Sequence, residues 1–136
     1  MGQIRDVMTA NPTTCEPTAT AVDAAKVMAR EDVGSVPIVE GGRLVGLVTD
    51  RDIIVRAIAE GRDVNATTVK DVASRDLVTV TPDEDLDRAL QLMAQHQVRR
   101  IPVVDGDRVV GIVAQADVAR AADEEKTGEV VQQISE

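Results

Sequence analysis

The sequence of 136 residues contains no phenylalanine, tyrosine or tryptophan, and it has one cysteine and one histidine. A core must therefore be built from aliphatic side chains and methionine, and a surface that stacks nucleobases on aromatic rings is excluded. The formal net charge of -9 also deprives the chain of the cationic surface that binding a phosphate backbone requires. We therefore expect no nucleic acid partner.

Long apolar runs are missing as well. No run approaches the roughly 20 residues of a membrane-spanning helix, and the opening sequence MGQIRDVMTA lacks the apolar core of a signal peptide. Cys15 cannot form a disulfide within the chain, which fits a reducing compartment, and Cys15 with His96 provides too few ligands for a Cys/His zinc site in one chain. We expect a cytoplasmic protein that makes no membrane contact and has no metal site, a site shared by two chains being the alternative.

An internal repeat organises the whole sequence. Identical residues recur at a constant offset of 65 positions, without gaps. The matching pairs are Asp6 and Asp71, Val7 and Val72, Pro17 and Pro82, Ala24 and Ala89, Met28 and Met93, Val33 and Val98, Pro37 and Pro102, Gly41 and Gly106, Arg43 and Arg108, Gly46 and Gly111, and Asp52 and Asp117. We divide the chain into a first domain (1–62), a linker (63–68), a second domain (69–127) and a C-terminal tail (128–136). The tail is interpreted as a frayed end, with a short apolar-faced helical turn as the alternative.

Each repeat begins with a short extended segment, near Cys15 in the first copy, followed by an amphipathic helix. The second copy of this helix has a threonine at position 81, a proline after it and a glutamate three residues on, which predicts a helix starting at Thr81. Two β-branched runs around a glycine turn then predict a hairpin, at 36–48 and at 101–113. Because Pro37 and Pro102 cannot donate to a ladder, their strands are predicted to lie at a sheet edge or to open to a ligand.

A second helix is predicted at about 50–59 and about 115–123, which makes each repeat β-α-β-β-α and the fold class α+β. The hairpin strands share an aliphatic-Pro-aliphatic-aliphatic pattern, and the run Gly46-Leu47-Val48-Thr49 ends three residues before Asp52. With the β-α-β-β-α order, these motifs resemble the CBS (cystathionine-β-synthase-type) domain pair. The resemblance covers about residues 4–125, and the stretches at 96–103 and 49–53 are similar to the small bacterial stand-alone pairs of the hypoxic response protein group. The resemblance implies two domains packed about a pseudo-twofold axis, two clefts that bind adenine nucleotides, and a homodimer.

Thr49 and Asp52 are the first candidate ligand residues. A carboxylate can accept two hydrogen bonds from neighbouring ribose hydroxyls, and free backbone N–H groups beside Thr49 at the helix start would favour a phosphate. The alternative, which the two residues taken alone favour, is a capping box. The second copy has Ala114 in place of the threonine but retains Asp117, which suggests a separate role for the aspartate.

The resemblance adds the remaining ligand residues. Arg100 stands where the first copy has Ser35, and in nucleotide-binding relatives a basic residue there reaches the phosphate; a solvated surface arginine is the alternative. The same resemblance implies that the nucleobase lies in a pocket lined by Val36, Ile38, Ile101 and Pro102, and that Thr9 contacts the ligand. The converse cleft combines Asp117, Ala114 and Ser35 and lacks both hydroxyl and arginine, so we expect it to be degenerate and the chain to bind one nucleotide.

The sequence contains no Ser/His/Asp set, metal-ligand cluster or phosphate-binding glycine loop, and His96 has no visible acid or nucleophile partner. We therefore expect a non-catalytic module that senses AMP or ATP without requiring a cofactor, and that regulates an unidentified partner protein. One alternative is a stress-associated structural or interaction protein that has lost nucleotide binding. A second is a binder of another adenosyl ligand such as S-adenosylmethionine, although Arg100 favours a phosphate.

Overall fold

The computed structural model describes residues 2–74 and 76–124. A 3-10 turn at Ile4–Asp6 precedes strand β1 (Thr9–Ala10). The later elements, in chain order, are α1 (Ala21–Glu31), β2 (Ser35–Glu40), β3 (Arg43–Thr49), α2 (Asp50–Ile53), a π-helical segment (Ile54–Ile58), α3 (Val69–Val72), α4 (Leu86–His96), β4 (Arg100–Asp105) and β5 (Arg108–Ala114). A further helix, α5, occupies residues 115–124. The predicted α+β fold, with two hairpins and a second helix in each repeat, is confirmed.

The chain forms two compact units. The first-repeat unit contains residues 11–77, of which 75 is not described, together with 106–109; the second-repeat unit contains the described residues 2–10, 78–105 and 110–124. Each unit is built around its own aliphatic core, as the absence of aromatic residues requires. Each compact unit combines segments that are separate in the sequence, whereas the repeat predicts domains that are continuous. The domain boundaries drawn from the repeat therefore stay a prediction.

In the first-repeat unit, α1 packs on the β2–β3 hairpin. Thr20 caps α1 through a reciprocal pair of 3.1 Å bonds with Asp23, and Asp32 ends the helix in the left-handed region at φ 54°. The carbonyl of Pro37 accepts from the N–H of Cys15 at 2.9 Å, so the predicted extended segment is present as a single bridge to β2. The fully or nearly buried residues are Ala21, Ala24, Met28, Val36, Ile38, Val48, Ile53, Ala57, Val69, Val72 and Ala73.

The second-repeat unit contains α4 and a three-stranded sheet of order β1-β5-β4. Asp85 caps α4 by accepting from Asp87 N–H, and Gln97 ends it at φ 55°. The carbonyl of Pro102 accepts from the N–H of Val80 at 3.1 Å, as Pro37 accepts from Cys15 in the other copy. The core comprises Ile4, Val80, Leu86, Ala89, Leu92, Met93, Ile101, Val103, Val113 and Val118.

The opening segments of the two repeats are exchanged between the units. Thr9 pairs with Ile112 in the second-repeat unit, and Ser74 pairs with Leu47 in the first, each 65 positions apart from its counterpart. The short helical turns before these residues, Ile4–Asp6 and α3, were missed in the sequence, although Asp6 and Asp71 match in the repeat. Two turns of three or four residues carry too little periodicity to be recognised.

The predicted start of the second amphipathic helix was wrong. The N–H of Thr81 does donate to Oε2 of Glu84 at 2.7 Å, but these residues form a turn and the helix begins at Leu86. A helix from position 82 would need the Pro82 carbonyl to accept from the Leu86 N–H. Instead, Pro82 accepts from Arg5 at 3.0 Å and Leu86 donates to the carbonyl of Gly2 at 3.0 Å. The exchanged N-terminal segment therefore decides where the helix starts.

Two further details differ from the sequence prediction. The second helix of the first copy is α-helical only to Ile53, and the π-helical turn that follows closes with a 2.8 Å bond from Ala59 N–H to the carbonyl of Ile54. The predicted linker is hydrogen-bonded to the start of α1. The carbonyl of Val64 accepts from the N–H of Val22, and the carbonyl of Thr67 accepts from the N–H of Ala21. The predicted tail, 128–136, lies outside the described residues.

Candidate ligand site

The junction between β3 and α2 forms a closed set of local hydrogen bonds. The N–H of Thr49 donates to Oδ2 of Asp52 at 2.9 Å, and the N–H of Asp52 donates to Oγ1 of Thr49 at 3.1 Å. This reciprocal pair is a capping box, with Thr49 as the N-cap and Asp52 as the third residue of the helix. The capping alternative is therefore the arrangement that the structure contains.

The other N–H groups at this helix start also have partners in the chain. The N–H of Asp50 donates to the carbonyl of Gly34 at 3.0 Å, and the N–H of Arg51 donates to Oδ1 of Asp50 at 2.8 Å. The expectation of free N–H groups beside Thr49, ready to receive a phosphate, was therefore wrong. Arg51 itself is exposed on the first helical turn. A phosphate would need a side-chain donor instead.

The capping box leaves part of both side chains available. Among the described residues, neither the hydroxyl proton of Thr49 nor Oδ1 of Asp52 takes part in a hydrogen bond, and both side chains are half-buried. A carboxylate has about four acceptor positions, and the cap occupies one of them. Asp52 can therefore cap the helix and still accept both hydroxyls of a diol, in an orientation that the cap fixes.

The equivalent junction in the second repeat is built differently. The N–H of Gln115 donates to the carbonyl of Arg99 at 2.8 Å, which matches the bond from position 50 in the first copy. Ala114 has no side-chain acceptor, and Oδ1 of Asp117 forms a 3.0 Å ion pair with Arg120. Arg120 was not recognised as its partner, although opposite charges three residues apart on a helix are the pattern that predicts such a pair.

The predicted base-lining residues are core residues. Val36 and Ile101 are 0% exposed and Ile38 is 2% exposed, so their side chains present almost no surface to a ligand. Pro102 is buried as well, and Ser35, at 6% exposure, pairs with Thr49 across the hairpin. Alternation along β2 points Val36 and Ile38 into the same core because they are two residues apart. Any contact from this strand to a base would come from its backbone.

The remaining predicted residues belong to the second-repeat unit. Arg100 is the first residue of β4 and is half-buried, and Thr9 is exposed at the start of β1. Thr49 and Asp52 belong to the first-repeat unit. The combination of Arg100 with Asp52, which the family resemblance implied, therefore stays a prediction.

Metal-binding, nucleophilic and membrane-spanning features were also considered over residues 2–74 and 76–124 of the structure. No three His, Cys, Asp or Glu side chains in that part of the chain are placed to hold a metal ion, and His96 is exposed at the last turn of α4. Burial, and after it the charge of Asp23, raises the pKa of the Cys15 thiol to about 11. None of the helices there is long and apolar enough to cross a membrane.

Relatives of known sequence match most of the chain. The protein YhcV of Bacillus subtilis, a CBS domain-containing protein, is 47% identical over 119 residues, which cover 88% of this chain and 84% of YhcV. Hypoxic response protein 1 of Mycobacterium tuberculosis is 39% identical over 121 residues, which cover 88% of this chain and 85% of that protein. The predicted similarity to the hypoxic response protein group is confirmed.

Solved structures share the fold. A crystal structure of hypoxic response protein I with two coordinated zinc ions has a TM-score of 0.76 at 38% identity, over 89% of this chain and 99% of that one. The CBS domain pair of protein MJ0100, in complex with 5′-methylthioadenosine and S-adenosyl-L-methionine, has a TM-score of 0.83 at 30% identity, over 92% and 98% of the two chains. The CBS domain family model matches residues 4–58 and 69–124. This chain belongs to the CBS domain family, as a tandem pair of CBS domains.

Proposed function

We propose that this CBS pair is a regulatory module that binds an adenosyl ligand through the ribose, with Asp52 as the acceptor of the ribose diol. The observation that carries the proposal is the capping box, which orients the Asp52 carboxylate while leaving Oδ1 without a hydrogen bond among the described residues. A fixed, half-buried carboxylate loses little side-chain entropy when a diol binds. The related MJ0100 pair, which binds two adenosyl compounds, supports the ligand class.

Within that class we propose an adenine nucleotide, AMP or ATP. The Thr49 hydroxyl accepts from Asp52, so its proton is directed away from the cap and can donate to a phosphate oxygen. Arg100 would supply the charge, because a guanidinium can bind two phosphate oxygens at once. A sulfonium ligand gains nothing from a guanidinium. One ligand per chain is expected, since the converse combination has Ala114 in place of the threonine hydroxyl and Ser35 in place of the arginine.

The absence of tyrosine and tryptophan permits a direct first test. The purified protein should absorb almost nothing at 280 nm, so a band at 260 nm would report a bound nucleotide, which mass spectrometry can identify after denaturation. Isothermal titration of nucleotide-free protein with AMP, ATP, S-adenosylmethionine and 5′-methylthioadenosine then ranks the ligands. We expect AMP or ATP to bind more tightly than the two sulfur-containing compounds.

Two matched variants test the site itself. Asp52→Asn keeps an oxygen that can accept from Thr49 N–H but removes the charge, and Asp117→Asn makes the same change at the equivalent position of the second copy. Loss of a charged hydrogen bond costs about 1.5–3 kcal/mol, so Asp52→Asn should weaken binding at least tenfold while Asp117→Asn leaves it unchanged. Equal effects, or an effect of Asp117→Asn alone, would reject Asp52 as the ribose acceptor.

The alternative function is an interaction module without a nucleotide. It is favoured by the internally satisfied N–H groups at the β3–α2 junction, which give a phosphate no backbone donor. The absence of a 260 nm band, together with no heat of binding for any of the four compounds, would favour the interaction module and reject the ligand sensor. Under either function we propose a non-catalytic, cytoplasmic homodimer that acts on a partner protein.

A further inference from the structure

A methionine side chain lies against the backbone of the glycine that faces strand β1. Met8 directly precedes β1, and a Cβ built on Gly111 would lie 2.5 Å from its Sδ and 3.1 Å from its Cγ. Since Cβ atoms in proteins essentially never come within 3.0 Å of another heavy atom, the thioether takes the space that a side chain at 111 would need. Gly111 pairs with Ala10. The thioether therefore packs at the point where β1 joins the sheet.

The first repeat holds its equivalent segment differently. Ala73 stands at the position of Met8, and Ala121 stands at the position of Arg56. In the first-repeat unit the guanidinium of Arg56 donates to the carbonyls of Val72 and Ala73 at 3.4 and 3.2 Å. One opening segment is thus held by hydrogen bonds from an arginine, and the other is in contact with a thioether. Only the second arrangement contains a group that a mild oxidant can change.

Met8 is also the accessible methionine in the part of the chain that the structure describes. Met28 and Met93 are 8% and 3% exposed and belong to the two cores, whereas Met8 is half-buried. Cys15 is the other sulfur-containing residue there, and burial raises the pKa of its thiol to about 11, so little of the reactive thiolate forms. A peroxide that reaches the folded protein therefore meets one reactive sulfur atom among the described residues.

Oxidation of the Met8 thioether requires no reactant other than a peroxide. A lone pair of Sδ attacks one oxygen of hydrogen peroxide, an S–O bond forms as the O–O bond breaks, and water leaves. The sulfur loses two electrons, the peroxide gains them, and an apolar side chain becomes a polar sulfoxide. A buried polar oxygen costs free energy unless it gains a donor. We therefore expect the oxidised side chain to leave the backbone of Gly111 for water.

We propose that Met8 is a site of reversible oxidation by peroxides, and that its sulfoxide releases β1 from β5. Strand β1 consists of Thr9 and Ala10, both of them exposed, and each makes one pair with β5. So short a strand depends on the contact beside it, which Met8 provides. Ile4 is 0% exposed and keeps the preceding turn in place when β1 is released. This inference depends neither on ligand binding nor on the homodimer.

Peroxide treatment of the full chain followed by peptide mass spectrometry tests the site. Trypsin places each methionine on its own peptide. We expect one oxygen atom to be added at Met8 under conditions that leave Met28 and Met93 unmodified until urea unfolds the protein. Amide hydrogen exchange should then rise in residues 8–10 and stay unchanged in the equivalent residues 72–74. The melting temperature should fall by about 2–8 °C, the shift that the loss of one ordinary contact produces in chains of this size.

Two variants separate oxidation at Met8 from general damage. Met8→Leu keeps the volume of the side chain and cannot be oxidised, so peroxide should change neither its amide exchange nor its melting temperature. Met93→Leu is the matched control, and it should respond to peroxide as the wild type does. Methionine sulfoxide reductases, supplied with a thiol reductant, should remove the oxygen and restore slow exchange in residues 8–10 of the wild type.

The opposite results contradict the proposal. Absence of oxidation at Met8, or oxidation of the buried Met93 at the same rate, would reject the site. Unchanged exchange in the oxidised wild type would reject the release of β1, and raised exchange in residues 8–10 of treated Met8→Leu would reject Met8 as its cause. Exchange that stays fast after the reductases have removed the oxygen would reject a reversible switch.

Discussion

Oδ2 of Asp52 accepts from the N–H of Thr49 at 2.9 Å while Oγ1 of Thr49 accepts from the N–H of Asp52 at 3.1 Å. Thr49 and Asp52, which the family resemblance assigns to ligand binding, therefore also cap the start of α2. The two roles are compatible because each side chain retains one unused hydrogen-bonding group among the described residues. Variants must therefore be chosen to separate helix capping from ligand binding.

Thr49→Val removes the cap but keeps the shape of the side chain. We expect the free energy of unfolding to fall by about 1 kcal/mol, because the N–H of Asp52 loses its acceptor. Thr49→Ser retains the hydroxyl and should stay close to the wild type. Urea denaturation followed by circular dichroism at 222 nm measures both, and equal stability of the valine and serine variants would show that the cap contributes nothing.

Gly111→Ala should be far more damaging than Gly46→Ala, although the two glycines are equivalent in the repeat. A Cβ at Gly111 would lie 2.5 Å from Sδ of Met8 and 3.1 Å from the carbonyl oxygen of Thr9, whereas at Gly46 the nearest atom is Cδ1 of Ile38 at 3.3 Å. We expect losses of about 1–3 kcal/mol for Gly111→Ala and below about 1 kcal/mol for Gly46→Ala. Thermal denaturation of the pair checks the order, and the reverse order would contradict the close approach of β1 to β5.

Glycine at the ends of the two long helices should stabilise the protein. Asp32 and Gln97 end α1 and α4 at φ 54° and 55°, a conformation that costs a side chain about 1–2 kcal/mol but that aspartate tolerates better than glutamine. We therefore expect Gln97→Gly to raise the melting temperature, and Asp32→Gly to raise it by less. Differential scanning calorimetry on both variants measures the shifts; a lower melting temperature for Gln97→Gly would contradict the expected relief of strain.

The Cys15 thiol should react slowly in the folded protein. Its pKa is raised to about 11 by burial and by the charge of Asp23, so little of the reactive thiolate forms at pH 8. Labelling with a chromogenic disulfide reagent should be slow in buffer and fast in denaturant. Equally fast labelling in both would show that the thiol is not protected.

The same pKa shift predicts a dependence of stability on pH. The unfolded thiol ionises near pH 8.5. Between that pH and about 11 the folded chain therefore keeps a proton that the unfolded chain has lost, and the free energy of unfolding falls as the pH rises. Cys15→Ala lacks this component. Comparing the two proteins by urea denaturation at pH 8 and pH 10 isolates it, and identical pH dependence would contradict the shift.

Several site features could be recognised in the sequence because they are local. The capping pair at 49 and 52 needs two residues three apart, and the lack of this pair in the second copy is visible as Ala114 in place of a threonine. The satisfied N–H groups at the same junction could not be recognised, since one of their acceptors is the carbonyl of Gly34, sixteen residues before Asp50. The burial of Val36 and Ile38 follows from alternation, but which face of the strand is the core depends on packing.

The sequence by itself determined the repeat, the hairpins, the helix faces and the membership of the CBS family. Periodicity and turn residues are properties of neighbouring residues, and the repeat needs only a comparison of the chain with itself. Tertiary structure decided where α4 starts and which opening segment joins which unit. Leu86 donates to Gly2, and Pro82 accepts from Arg5, in place of the helical bond between positions 82 and 86. A local capping signal at Thr81 and Glu84 is worth about 1 kcal/mol, and several backbone hydrogen bonds to a distant segment together outweigh it.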